Sequence, residues 1–68
     1  MDIRWHDGYR LSVRIAAGEA VISGNREGLL SLAEQLSALA KEEKGSHIHY
    51  DGYNSLEEGS TPLVIEKI

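Results

Sequence analysis

The chain has 68 residues, a formal net charge of −4 and no cysteine, so it has room for a single domain, residues 1–68. A chain of this length buries only about 60% of its unfolded surface, and the absence of cysteine excludes disulfides and thiolate metal sites. The negative charge opposes binding to nucleic acid, which requires a basic face, and indicates that a charged partner would be basic.

The first ten residues, MDIRWHDGYR, lack the apolar run of a signal peptide. No segment approaches the roughly 18 apolar residues that a membrane-spanning helix requires. We therefore expect a cytoplasmic protein that does not enter a membrane. Ile3 and Trp5 share one face of an extended chain, which predicts either a further short strand or an extension of the next one.

Residues 9–16, YRLSVRIA, alternate between apolar and polar side chains, as in a half-buried strand. The apolar positions are Leu11, Val13 and Ile15, and arginines occupy positions 10 and 14 on the other face. Ala17 and Gly18 predict a short turn, and residues 19–23 supply a second strand. The two strands together predict a hairpin.

A helix is predicted over residues 26–44, with Asn25 as its N-cap and Gly45 at its end. Its apolar stripe, which should face a sheet, consists of Leu29, Leu32, Ala33, Leu36, Leu39 and Ala40. Gly28 is unfavourable in a helix by up to about 1 kcal/mol relative to alanine. We interpret it as a place where another backbone segment comes close.

After the helix, residues 47–50 alternate again, and residues 62–68, PLVIEKI, read as a last strand opened by proline. The predicted order is β-β-α-β-β. Because the helix must cover one sheet face, we expect an α+β fold with a four-stranded, antiparallel-rich sheet and one helix packed on one face.

His47 and His49 lie two residues apart on a predicted strand, so both side chains point the same way, about 6.5 Å apart at 3.3 Å per residue. Both rings could reach one zinc ion with Asp51 as a third ligand, and only His6 remains to complete a nitrogen-rich site. Such a pair of histidines is also common on the solvent-exposed face of a strand. We predict a solvated face and no bound metal.

No catalytic motif is evident. The hydroxyl residues Ser46, Ser55, Ser60 and Thr61 lie in what reads as a mobile loop, with no catalytic motif around them. The glycines before the helix complete no phosphate-binding pattern. We therefore expect no enzyme activity, no catalytic residues and no cofactor.

Residues 51–60, DGYNSLEEGS, carry three acidic residues and no basic one. Tyrosine among acidic residues is typical of a protein-binding surface. A loop that is merely solvated would have the same composition. Composition leaves both interpretations open.

Two longer segments, SGNREGLLSLAEQLSALA and GSHIHYDGYNSLEEGSTPLVIEKI, resemble the immunity protein 32 family over residues 22–68. The most specific pieces are NREGLL, HIH followed by YNSLEEGS, and the closing IEKI. The resemblance implies a non-enzymatic bacterial protein of a polymorphic toxin system, which binds a cognate toxin and neutralises it. We predict that the partner-binding residues are His47, His49, Asp51, Tyr53, Glu57 and Glu58.

Two alternatives remain from the residues alone. One is a small metal-binding or regulatory domain that uses His47, His49 and Asp51. The other is a structural subunit that works as a homodimer, suggested by the small core and by the two edges of an open sheet.

Overall fold

Four strands and one helix follow one another in the predicted order in this computed structural model, which describes residues 2–68. The elements are β1 (Leu11–Ala16), β2 (Glu19–Gly24), α1 (Arg26–Leu39), β3 (His47–Tyr50) and β4 (Leu63–Glu66). The α+β class is confirmed. Within residues 2–68, no helix has both the length and the apolar character needed to cross a membrane.

The two strand pairs are both antiparallel hairpins. β1 and β2 are paired without interruption from Leu11 opposite Gly24 to Ala16 opposite Glu19. Ala17 and Gly18 join them with φ angles of 52° and 80°. Positive φ at both central residues is the mark of a type I′ turn, whose twist matches that of the strands. The predicted hairpin is therefore confirmed, and β3 and β4 form the second one.

The two hairpins do not merge into the predicted four-stranded sheet, and that detail of the prediction is wrong. Residues 57–61 lie along the free edge of β1 instead. Three hydrogen bonds hold this segment: Glu57 N–H to Leu11 C=O (2.9 Å), Thr61 N–H to Val13 C=O (2.8 Å) and Val13 N–H to Ser60 Oγ (3.3 Å). Gly59, at a φ of 85°, breaks the extended conformation, so a regular ladder cannot form there.

Only β3 has the predicted boundaries; β2 extends one residue further than predicted, β4 is limited to Leu63–Glu66 where residues 62–68 were predicted, and larger differences occur before β1 and at the end of the helix. No strand forms at Ile3 and Trp5, and β1 begins only at Leu11. The helix ends at Leu39, whereas the sequence predicted residue 44. Residues 41–44 are all charged and exposed, so no buried contact supports another helical turn.

Asn25 caps the helix, as predicted, and also ties it to the chain before β1. Its side-chain oxygen accepts hydrogen bonds from the Gly28 N–H (2.8 Å) and the Arg10 N–H (2.9 Å). Its amide nitrogen donates to the Gly8 carbonyl at 2.9 Å. One side chain therefore fixes the position of the helix relative to the entry into β1.

Gly28 lies directly against that entry. A Cβ atom at this position would collide with the carbonyl oxygen of Arg10. The predicted close approach of another backbone segment is confirmed. Glycine is required here by space, since the residue lies in a right-handed helix where alanine would otherwise be favoured.

The buried face of α1 is rotated relative to the predicted stripe. Its buried residues are Gly28, Ser31, Leu32, Gln35 and Leu39. Leu29 is 48% exposed, and Ala33 and Ala40 are exposed as well, so their assignment to the core is wrong. Leu36 is half-buried.

The N-terminal segment causes this rotation by covering the polar flank of α1. The His6 N–H donates to Ser31 Oγ at 2.9 Å, and Gln35 Nε2 donates to the Arg4 carbonyl at 2.8 Å. These bonds satisfy polar groups that would otherwise be costly to bury. Ser31 and Gln35 therefore occupy core-facing positions that hydrophobicity alone would have given to leucine.

The core lies between α1 and the inner faces of both hairpins. Its buried apolar residues are Leu11, Val13, Leu32, Leu39, Ile48, Tyr50 and Leu56. Trp5 closes one side by stacking on Tyr9 at 4.2 Å between ring centroids and meeting Tyr50 edge-on at 6.2 Å. Residues before β1 thus complete the core without forming a strand.

Tyr50 joins the apolar core to the polar flank of the helix. The residue is only 1% exposed, and its hydroxyl donates to Gln35 Oε1 at 2.8 Å. Burial raises the pKa of Tyr50 above its ordinary value of 10.0, because the charged phenolate loses hydration. The hydroxyl, the Gln35 amide and the Arg4 carbonyl form one connected chain of hydrogen bonds.

Truncation of the core side of α1 should be far more costly than truncation of its exposed flank. We expect Leu39→Ala to lower the free energy of unfolding by about 2–5 kcal/mol, since it leaves a cavity. Leu29→Ala is the matched control and should cost less than about 1 kcal/mol. Urea denaturation of the two variants gives the comparison, and equal losses would contradict the rotated helix face.

Gly28→Ala should destabilise the protein even though alanine has the higher helix propensity. Overpacking against the Arg10 carbonyl should cost about 1–3 kcal/mol. Ser37→Ala, at an exposed position of the same helix, should be neutral or slightly stabilising. Thermal unfolding measures both, and a higher Tm for Gly28→Ala would show that the backbones do not approach so closely.

Stability should decrease with alkaline pH because of Tyr50. The folded-state pKa is raised, so the contribution of Tyr50 is fully present below pH 10.0 and is lost as the pH rises above it. Tyr50→Phe should flatten this loss above about pH 10, and Tyr53→Phe, which removes a hydroxyl at a fully exposed site, is the matched control. Urea denaturation across this range provides the test, and equal slopes for parent and Tyr50→Phe would refute it.

Candidate functional site

The six predicted partner-binding residues lie on β3 and on residues 51–60, which we call the acidic loop. Asp51 organises the start of this loop. Its carboxylate accepts hydrogen bonds from the N–H groups of Tyr53 (2.9 Å) and Asn54 (3.1 Å), and its carbonyl accepts from Ser55 (3.1 Å) and Leu56 (2.8 Å). Asp51 therefore builds a compact turn, a role that short acidic side chains commonly have.

The end of this turn is anchored in the protein interior. Leu56 belongs to the core, and the Ser55 carbonyl accepts a hydrogen bond from the Tyr9 hydroxyl at 3.0 Å. Immediately afterwards, Glu57 N–H bonds to β1. The acidic loop is thus held in place at Ser55 and Leu56, and its exposed side chains project from a defined backbone.

Tyr53 and Glu58 project into solvent around one groove. Tyr53 is fully exposed, which is unusual for an aromatic residue on an ordered turn. The groove has a volume of about 460 Å³ and is lined by Asp51, Gly52, Tyr53, Glu58, Gly59, Ser60 and Pro62. The structure therefore brings three of the predicted residues together, namely Asp51, Tyr53 and Glu58.

Glu57 lies apart from this groove. Its carboxylate accepts a hydrogen bond from Arg10 Nε at 2.7 Å, and the pair borders a separate pocket of about 300 Å³ with Ser23 and Asn25. The Arg10 side chain is 72% exposed and that of Glu57 is 42% exposed, so solvent screens the ion pair and it is worth at most about 1 kcal/mol. Its main effect is local, because it neutralises the charge of Glu57.

Glu58 has a different electrostatic environment. Among residues 2–68 no basic side chain forms an ion pair with it. The negative charge of the acidic loop that no basic side chain pairs with among residues 2–68 therefore lies at Asp51 and Glu58, which line the same groove as Tyr53. Glu57 and Glu58 are adjacent in the sequence but thus lie in different electrostatic environments.

His47 and His49 form an exposed pair on the outer face of the second hairpin. Their rings are 4.9 Å apart between centroids and nearly perpendicular, at 82°. His47 Nδ1 lies 3.0 Å from the Gly45 carbonyl, so the tautomer with a proton on Nδ1 donates a hydrogen bond there. His49 borders a pocket of about 260 Å³ together with Asn54, which places the histidines next to the acidic loop.

Asp51, the third residue considered as a metal ligand, has a structural role in the fold. Its carboxylate Oδ1 accepts hydrogen bonds from the backbone N–H groups of Tyr53 and Asn54. Within the described part of the chain, residues 2–68, no group of three or more histidine, cysteine, aspartate or glutamate side chains is arranged to hold a metal ion.

Val64 is a surface residue that the sequence reasoning missed. It is 53% exposed and lies directly opposite His49 in the hairpin register. The alternation of β4, in which Leu63 and Ile65 point inward, predicts that Val64 lies on the outer face. Val64 adds an apolar element to the histidine face beside the acidic loop.

Comparison with known proteins assigns the chain to a family. The immunity protein 32 family matches residues 19–68, which include β2, the helix, the second hairpin and the whole acidic loop. No curated protein and no solved structure matches significantly. Since the family match covers well over half of the chain and agrees with the resemblance seen in the sequence, this protein belongs to the immunity protein 32 family.

Proposed function

We propose that this protein binds a cognate bacterial toxin and neutralises it, so that the cell that makes both is protected. The observation that carries the proposal is membership of an immunity protein family over residues 19–68. In this role the protein is a non-enzymatic inhibitor within a polymorphic toxin system, and it acts in the cytoplasm. Inhibition requires a binding surface and no chemistry.

The groove of the acidic loop is the surface that we propose for the toxin. Tyr53 is an exposed aromatic side chain on a backbone turn already fixed by Asp51 and by the buried Leu56. Aromatic anchors dominate the energetics of many interfaces, and a preformed turn reduces the ordering cost of binding. Tyr53 is therefore the proposed centre of the interface.

Charge supports a basic partner. The chain carries a net charge of −4, and the carboxylate of Glu58 has no ion-pair partner among residues 2–68. An acidic patch accelerates encounter with a basic surface and disfavours wrong partners. Because Arg10 already neutralises Glu57, we assign the larger steering role to Glu58 and a rim position to Glu57.

The histidine face extends this surface along the second hairpin. His47 and His49 are exposed beside Val64, and His49 shares a pocket with Asn54 of the acidic loop. A mixed apolar and polar surface next to an aromatic anchor is typical of protein interfaces. We propose that the histidines contact the toxin at the edge of the interface.

Tyr53 and Glu58 should affect toxin binding in different ways. We expect Tyr53→Ala to weaken binding by about 2 kcal/mol, roughly 30-fold, mainly through faster dissociation. Glu58→Lys should slow association and reduce its dependence on salt, and Glu57→Lys should have a smaller effect. Binding kinetics at low and high salt, against the toxin domain encoded beside this gene, provide the measurement.

Glu42→Lys is the matched control, since it makes the same charge change at an exposed position outside the acidic loop. Growth rescue in cells that express the toxin tests protection, and the parent protein must rescue growth for the proposed function to hold. If the parent rescues growth and the double variant Tyr53→Ala with Glu58→Lys binds and protects equally well, the interface lies elsewhere on the protein.

A further inference from the structure

The outer edge of β2 has no partner strand. β2 pairs only with β1, and among residues 2–68 no other backbone segment bonds to residues 20–23. In an antiparallel hairpin closed by a two-residue turn, the residue pair next to the turn is hydrogen-bonded, and non-hydrogen-bonded and hydrogen-bonded pairs then alternate along the strands. Here the pair next to the turn is Ala16 and Glu19. Ala20 and Ile22 therefore direct their N–H and C=O groups outward.

Apart from the charge of Glu19 at its start, this edge lacks the features by which proteins prevent strand pairing. Edge strands are usually protected by lysine, proline, a bulge or a covering segment. The sequence of β2, EAVISG, contains neither lysine nor proline, and its register with β1 continues over all six residues without a bulge. The edge is thus open to another extended strand.

An exposed apolar patch adjoins the edge. Ile15 is 60% exposed and Ile22 is 41% exposed, although they lie on the same hairpin face as the buried Leu11 and Val13. The hairpin extends beyond the core at this end. The partly exposed Leu29 continues the patch, since its side chain lies within 3.1 Å of where a Cβ at Gly24 would stand.

We propose that β2 pairs with β2 of a second copy of this chain, in antiparallel orientation about a two-fold axis at Val21. In this register Ala20 lies opposite Ile22 of the second copy, so the outward N–H and C=O groups meet. The apolar face of the first hairpin then continues from one copy into the other. The β1–β2 hairpins of the two copies join into one four-stranded sheet.

Charge complementarity identifies the second copy as the occupant. Arg14 Nη1 donates to Ser23 Oγ at 2.9 Å, so the guanidinium of Arg14 reaches across β2 towards its free edge. The register places Glu19 of the second copy directly opposite Ser23, about 4.8 Å away between strands. Each dimer then contains two ion pairs between Arg14 and Glu19, one on either side of the axis.

The oligomeric state in solution tests the proposal. Light scattering coupled to size exclusion, and sedimentation over a range of concentrations, should show a dimer in reversible equilibrium with monomer. Ile22→Lys should shift the protein to monomer, because it places a charge in the middle of the apolar face. Val64→Lys, on the second hairpin, is the matched control and should leave the dimer unchanged. Circular dichroism and thermal unfolding verify that both variants are folded.

A charge exchange tests the register itself. Arg14→Glu and Glu19→Arg should each raise the dimer Kd by about tenfold or more, and the double variant should recover most of the parent affinity. A monomer at every concentration would overturn the proposal, as would a dimer that folded Ile22→Lys does not weaken. Single variants without effect, or a double variant without recovery, would overturn the register. None of these outcomes depends on toxin binding.

Discussion

The close packing of the helix start against the Arg10 carbonyl is the contact on which the other features depend. Gly28 permits this approach, and the Asn25 side chain maintains it by bonding to Gly28, Arg10 and Gly8. Because the entry into β1 is fixed here, the preceding residues lie along the helix. There they cover Ser31 and Gln35 and determine which face of α1 is buried. A single additional methyl group would disturb both the helix and the strand.

The same arrangement supports the proposed binding surface. β1 has one edge occupied by β2, and its other edge receives residues 57–61, so the acidic loop is tied to the first hairpin as well as to its own. Leu56 fills the core directly beneath the loop. Tyr53 and Glu58 therefore project from a segment supported on two sides, and little order has to be gained when a partner binds.

The two hairpins differ in what they expose. The second hairpin carries the histidines, Val64 and the acidic loop, which together form a mixed polar surface with one projecting aromatic ring. The first carries an open strand edge and an apolar patch at Ile15 and Ile22. The proposed toxin contacts around Tyr53 and the proposed self-association thus use separate surfaces, and only Glu57, which shares a pocket with Ser23, lies near both. A dimer formed through β2 would leave both acidic loops accessible.

Local patterns in the sequence determined the elements, since alternation, the Asn25 cap and the Ala17–Gly18 turn depend only on neighbouring residues. Gly28 also revealed the close approach, because its conformational cost in a helix requires a reason. Only the tertiary structure decided that Leu29 is exposed while Gln35 is buried, because the covering Arg4 carbonyl comes from 31 residues away. It likewise decided that Glu57 pairs with Arg10 while Glu58 stays free, and that two hairpins meet through an irregular segment. Periodicity reports which side chains share a face, whereas the distant segment that covers the face is set by the packing of the whole chain.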